Sequence, residues 1–349
     1  SFQLSRSSRD LSMNNASTDT GLTRLVAGVA GHLEAGGRGF SWEASVTHGR
    51  GDFDYLGTGL IQQNFINALN VTTDAGGTII CDPNAPGTLA DPHCRPLNLF
   101  GENQASADAL AYVSTPTQAR AKTRQTVFNA SVSGGLFDLP GGPFSFAAGL
   151  EHRREEGAFT PDEYQRLGQG RSVPVQGASG EYHTNEVFAE VLAPLFDPDR
   201  ALAGLHRLDL TAKVRRVENS VAGGFTAFTY GLQYEPFAGL QLRGNKTRSL
   251  RAPSIAELYT SQQPAFYSIP EVCSAARINS GTRPATRRRN CEAFFAAYPG
   301  ADPATFQAVP TTTLGSMNGS TALKNEKARS WTAGIVLAPD RVKGLRAAA

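Results

Sequence analysis

Histidine, cysteine and paired carboxylates are the residues here that could carry chemistry, and their spacing argues against most of it. His32, His48, His93, His152, His183 and His206 fall one to a segment, with no HExxH pattern. No GxSxG elbow, Walker loop or dinucleotide fingerprint occurs. Asp52 and Asp54 share a strand face but are too isolated to read as an acid/base pair. The four cysteines form two local pairs, Cys81 with Cys94 and Cys273 with Cys291, each in a loop rich in Pro, Gly, Asp and Asn. Zinc would want CxxC spacing or several nearby His ligands, and only His93 is adjacent. Two loop-stapling disulfides in an oxidising compartment are the better reading, with a metal site the alternative. Arg287-Arg288-Arg289 lies inside the second cysteine loop. It could attract an anionic substrate or lipopolysaccharide phosphate, but a solvated charge cluster is favoured. Asn-x-Ser/Thr matches at Asn15, Asn70, Asn129 and Asn318 carry weight only in a chain that passes through a glycosylating compartment, and none if the protein is bacterial. The chain thus reads as no enzyme, with no cofactor, and a net charge of +2 gives no case for nucleic acid.

The elements that would position these residues are extended. From Leu205 to Arg215 the chain alternates without a fault. His206, Leu208, Leu210, Ala212 and Val214 share one strand face; Arg207, Asp209, Thr211, Lys213 and Arg215 share the other. Val187, Ala189 and Val191 oppose Glu186 and Glu190. Phe144, Phe146, Ala148 and Leu150 line one face, and Leu240 and Leu242 oppose Gln241, Arg243 and Asn245. Charge is only 18%, below the roughly 25% usual for soluble domains, and Gly (36) and Phe (19) are abundant. No apolar run approaches the ~20 residues of a membrane helix, which leaves a membrane β-barrel open.

Hairpins are expected at 22–33/40–50, 124–136/144–156, 182–193/205–218 and 226–235/239–249, with a last one turning through residues 338–344. Between them run longer, irregular, polar connections at about 60–122, 157–181, 219–225 and 250–327. Short turns at one rim and long loops at the other are the pattern of an outer-membrane barrel. Phe137, Phe144, Phe196 and Phe237 collect near the short turns, where an interfacial aromatic girdle would sit.

After the strand Leu240–Asn245 comes Leu250-Arg251-Ala252-Pro253, then Glu257-Leu258-Tyr259; beyond a long loop come Leu323, Glu326 and Ser330, opening the next strand. In this order the segments resemble the TonB-dependent outer-membrane receptors. Cys273 and Cys291 resemble a cysteine pair that many members carry in this loop. The resemblance implies an all-β fold: a transmembrane, antiparallel, up-and-down β-barrel of about 22 strands, closed by an N-terminal plug. About ten strands can be counted, so residues 1–349 are expected to be part of one barrel domain, with the plug, the TonB box and the final aromatic strand absent. Both ends read as cut, and an open sheet cannot persist in lipid; the chain alone is not expected to transport. The implied activity is energy-coupled uptake of a scarce or bulky nutrient: siderophore-bound iron, cobalamin, carbohydrate or peptide. The implied partners are outer-membrane lipid, that unknown nutrient, and the TonB complex through the missing N-terminal segment. The implied localisation is a Gram-negative outer membrane.

Within the motif, Arg251 is expected to fix the strand-to-loop transition, with Pro253 stopping ladder pairing; binding an anionic ligand is the alternative. Glu257 and Glu326 read as lumen-facing structural carboxylates paired with Arg243, Arg248 or Arg251. The loops 60–122 and 250–327 would supply much of the ligand contact, without any residue assignable. The rival readings are a plug-free porin, a secreted β-sandwich binding module and a barrel enzyme.

Overall fold

The computed structural model describes residues 11, 16–170, 173–268, 271–300, 306, 312–339, 342 and 344–349. Asn15, and Asp340, Arg341 and Lys343 of the last expected turn, lie outside them. The strands are β1 (Ser17–Ala35), β2 (Arg38–Leu60), β3 (Val71–Thr73), β4 (Ile79–Cys81), β5 (Ser114–Leu139), β6 (Gly142–Pro161), β7 (Ala178–Phe196), β8 (Arg207–Asn219), β9 (Gly223–Phe237), β10 (Leu240–Arg251), β11 (Gln263–Ser268), β12 (Thr312–Met317), β13 (Glu326–Leu337) and β14 (Ala347–Ala348). The helices are α1 (Gln62–Leu69), α2 (Ala107–Val113), α3 (Glu163–Leu167), α4 (Ile255–Tyr259) and α5 (Pro284–Ala297).

Ten strands form one sheet in the order β1-β2-β5-β6-β7-β8-β9-β10-β13-β14. Every pair is antiparallel, and each strand lies beside the next once loop insertions are passed over, which is the up-and-down order of a barrel wall. Among the described residues β1 and β14 do not pair, so the sheet is open. Among the described residues, no helix is long and apolar enough to cross a membrane.

Two adjacent ladder rows show how the sequence pattern becomes two surfaces. One runs Leu33, Phe40, Gly134, Phe146, Val191, Ala212, Tyr230, Lys246, Trp331. The next, one residue along, runs His32, Ser41, Ser133, Ala147, Glu190, Lys213, Thr229, Thr247, Ser330. Strand side chains alternate, so the first row faces one way and the second the other. The apolar face carries Leu25, Val29, Val46, Leu210, Val214, Leu232 and Ile335, all exposed. Water would leave that area uncovered at a cost of roughly 25 cal/mol per Å², whereas lipid covers it.

Three β-bulges refine this surface. Register shifts fall between Gly135 and Phe137, between Pro194 and Phe196, and between Leu240 and Leu242, all at the short-turn rim. Each shift reverses the side-chain parity beyond it. Phe137 thereby pairs with Phe144, Phe196 with Leu208 and Phe237 with Leu240, so all three rings join the apolar face. Phe137 and Phe144 stack at 4.8 Å.

The connections need two corrections. The stretch 219–225 is no long loop: β8 and β9 are joined by Ser220, Val221 and Ala222 alone. Asn219 makes this possible, its Oδ1 accepting the backbone N–H groups of Val221 and Ala222 at 2.9 Å each. The longer connections are also not irregular. Residues 61–113 form a lobe in which α1 and α2 pack around Ala68, Leu97, Ala109 and Val113. Strands also run past their expected ends, β2 to Leu60 and β5 back to Ser114. Beyond the lipid band both faces are wet, so the period-two signal vanishes while backbone pairing continues.

Candidate functional site

The polar face of β6, β7 and β8 carries a closed network of charges. Arg153 pairs with Glu151 (2.9 Å) and Glu155 (3.5 Å). The Tyr182 hydroxyl and the Gln125 amide donate to Glu155 at 2.8 and 3.0 Å. Arg215 reaches Glu186 at 2.5 Å and Glu151 at 3.4 Å, and its guanidinium lies 5.5 Å from the Phe188 ring centroid. Lys213 pairs with Glu190 at 2.8 Å. Glu151, Glu155, Glu186 and Glu190 each have a cation, so none is a free general base. Sequence reading did not single out Glu151, Arg153 and Glu155, although alternating charge signs at i, i+2 and i+4 on a polar strand face signal such a network.

The motif residues meet at the long-loop rim. The β10 ladder ends at Arg251, and Pro253 is buried beyond it. Ser254 then caps α4, with a capping box in which Glu257 returns to the Ser254 N–H at 2.7 Å. Arg251 forks onto both carboxylates: Nη1 and Nη2 donate to Glu257 at 2.9 and 2.8 Å, and Nε and Nη2 to Glu326 at 3.0 and 2.7 Å. One guanidinium thus ties the end of β10 to α4 and to the start of β13. Of the three arginines considered from sequence, Arg251 takes both partners. Arg248 faces the opposite side of β10, and Arg243 lies eight residues away, ~26 Å along the strand. The hydrogen bonds from Arg251, then those from Ser254, hold the Glu257 carboxyl down at about 2.

Helix α4 folds back over the polar face. The Tyr259 hydroxyl donates to the Glu181 carbonyl at 2.6 Å, and its ring lies so close over Gly180 that any β-carbon there would collide with it. Ile255 sits in the same way over Gly157. Leu258 is buried, Leu250 is on the apolar face, Ser330 is opposite Thr247 on the polar face, and Leu323 is 40% exposed beside a Ser320 turn. Ala252 is half-buried between Arg251 and Pro253.

Both cysteine pairs are disulfides in the structure, Cys81–Cys94 and Cys273–Cys291, with Cα atoms 6.2 and 5.3 Å apart. The first staples the lobe of 61–113, where the Tyr112 hydroxyl donates to Asp91 at 2.9 Å and accepts from Asn67 at 3.1 Å. The second ties α5 to residues 271–280. Arg287 and Arg288 turn onto this loop, to the Arg277 carbonyl, Ser280 and Asn279, and about two turns further along α5 Phe294 and Phe295 cluster with Phe306. Among the described residues, no group of three His, Cys, Asp or Glu could hold a metal ion.

An apolar outward band, a charged inner wall, and disulfide-stapled loops at one rim, one of them folded over that wall, together define the class: part of an outer-membrane β-barrel. A family model described as "TonB dependent receptor-like, beta-barrel" matches residues 4–349, and the chain belongs to this family. It is a family of outer-membrane receptors and transporters. No curated protein matches the chain.

Proposed function

We propose that the chain is the wall and ligand-facing rim of a receptor for energy-coupled uptake of a scarce or bulky nutrient. The cargo classes are siderophore-bound iron, cobalamin, carbohydrate or peptide, and the TonB complex supplies the energy. Residues 1–349 are one part of a single barrel domain. Further strands close the sheet, because an open edge would leave backbone groups unpaired in lipid, and in such a receptor a separate plug domain fills the lumen that this wall borders. The observation that carries this reading is α4, which the Arg251 fork and Tyr259 hold over the inner wall. A loop held over the lumen suits capture and gating rather than free diffusion. Family membership supports the same reading.

The test is growth on limiting nutrient by cells carrying or lacking the complete protein, each with and without the TonB complex. Uptake needing both supports the proposal. Uptake that needs the protein but not the TonB complex identifies a passive channel instead.

A further inference from the structure

Toward the long-loop rim the two faces of the wall exchange character. Beyond the row Gly51, Thr123, Gly157, Gly180, the outward positions carry the charges: Asp52 and Asp54 on β2, Lys122 and Arg120 on β5. Arg120 and Asp54 pair there at 2.9 Å. The inward positions of the next two rows are Phe53, Ala121, Phe159 and Ala178, then Tyr55, Ala119 and Pro161, without one charge. A wall wet on both sides gives solvation no reason to sort charge in this way. Ala119 and Pro161 are buried where the chain turns into α3, which accounts for those two. Phe53 and Phe159 stay half-buried, two strand spacings or ~10 Å apart, with the Ala121 methyl between them.

Directly below this aromatic row, a cleft of ≈ 580 Å³ runs between the inner wall and the start of α4, a size that suits a small ligand. Ser254, Ile255 and Ala256 form one side, and Gly49 and Gly51 leave the floor flat. Thr47, Thr123 and Gln125 supply the polar groups. Among the described residues the two threonine hydroxyls have no side-chain partner, and Gln125, whose amide donates to Glu155, keeps its side-chain carbonyl free. The inward charges of the cleft, Glu155 and Arg24, are opposite in sign. Arg50 and Arg124 border it from outward positions and are taken by Asp52 and Glu156. The cleft therefore favours neither an anion nor a cation.

We propose that this cleft, with Phe53 and Phe159 above it, is a subsite for a neutral oligosaccharide. The aromatic faces stack on the C–H face of a sugar ring, and the Thr47, Thr123 and Gln125 groups take its hydroxyls. The flat glycine floor lets the ring lie close to the wall. This deepens the uptake reading above, selecting carbohydrate among its cargo classes, and rests on that reading for the cleft's place in an import path.

The test is calorimetric titration of the complete protein in detergent with malto-, cello-, xylo- and manno-oligosaccharides. Ferric siderophores and a corrinoid are the comparisons. At least one sugar should bind, with an affinity that does not change between low and high salt, as an uncharged ligand requires. Phe53→Ala should weaken that binding about two- to twelvefold through the lost stack. Thr123→Val removes one hydroxyl and keeps the shape, and should also weaken it about two- to twelvefold. Gly49→Leu fills the cleft and should abolish binding without lowering the melting temperature, because a β-carbon there meets nothing nearer than the Gln125 backbone oxygen at 4.0 Å. Binding of none of the sugars, or wild-type affinity in both Thr123→Val and Gly49→Leu, overturns the inference. Binding and TonB-dependent uptake of a ferric siderophore or the corrinoid instead overturns it while leaving the uptake reading intact. Sugar binding by a protein whose uptake ignores the TonB complex overturns the uptake reading and leaves the subsite standing.

Discussion

Moving one cation by a single residue should separate the two faces of β8. Lys213 lies on the inner face, paired with Glu190 at 2.8 Å, with side chains 54% and 45% exposed. Ala212 lies on the outer face between Leu210 and Val214, and is itself exposed. The exchange Ala212→Lys/Lys213→Ala keeps composition and net charge. Losing the exposed pair costs about 0.2–1 kcal/mol. The new lysine enters a band that runs from Leu208 to Val214, ~20 Å along the strand. From position 212 the charge lies ~13 Å from the polar row at Arg216, so part of its cost is relieved by snorkelling. Arg or Lys near the midplane of a barrel's lipid face costs about 2–4 kcal/mol, so the exchange should cost about 2–5 kcal/mol in total. The assay is urea unfolding of the complete protein in lipid vesicles, with Lys213→Ala alone as the control at about 1 kcal/mol or less. An exchange no more costly than that control would refute the assignment of faces.

Arg215→Ala should destabilise by about 2–3 kcal/mol, since Glu151 and Glu186, each 11% exposed, would lose their shared cation. Adding Glu186→Gln should recover part of that loss in the same urea assay. Replacing Cys273 and Cys291 by Ala removes a constraint worth about 3 kcal/mol in the loop-entropy account, and should show as faster proteolysis between residues 271 and 300 with the sheet intact. Glu257 should stay ionised in acid. Its folded value of about 2 lies below the usual 4.5, so its contribution is present above pH 4.5 and fades only as pH falls toward 2. Protease resistance of the α4 segment should therefore hold at pH 4, and Glu257→Gln should abolish that resistance at every pH.

What could be read in advance followed the solvent on each side of a strand. Leu208–Val214 was legible because lipid lies on one side and water on the other, and that difference writes a period of two. Residues 50–60 were not, because both faces there are wet. Phe137, Phe196 and Phe237 could be placed at the short turns but not on a face, since three bulges reverse parity where no residue pattern marks them. The β8–β9 turn was missed because polar residues around Asn219 look like a loop, whereas its side chain closes a three-residue turn. The partner of Glu257 was narrowed to three arginines. Parity alone removes Arg248, and distance along β10 removes Arg243. The helices of 61–113 were hidden by abundant Pro, Gly and Asn, whose turns separate short segments that pack only against each other.

The most direct test of a lipid-facing barrel wall is a cysteine scan from Leu208 to Arg215. The native cysteines are all disulfide-bonded, so a single introduced thiol takes the fluorescent label. Labels at 208, 210, 212 and 214 should be quenched by brominated acyl chains, and those at 209, 211, 213 and 215 by aqueous iodide. Quenching by iodide at all eight positions, or quenching without alternation, would contradict the account.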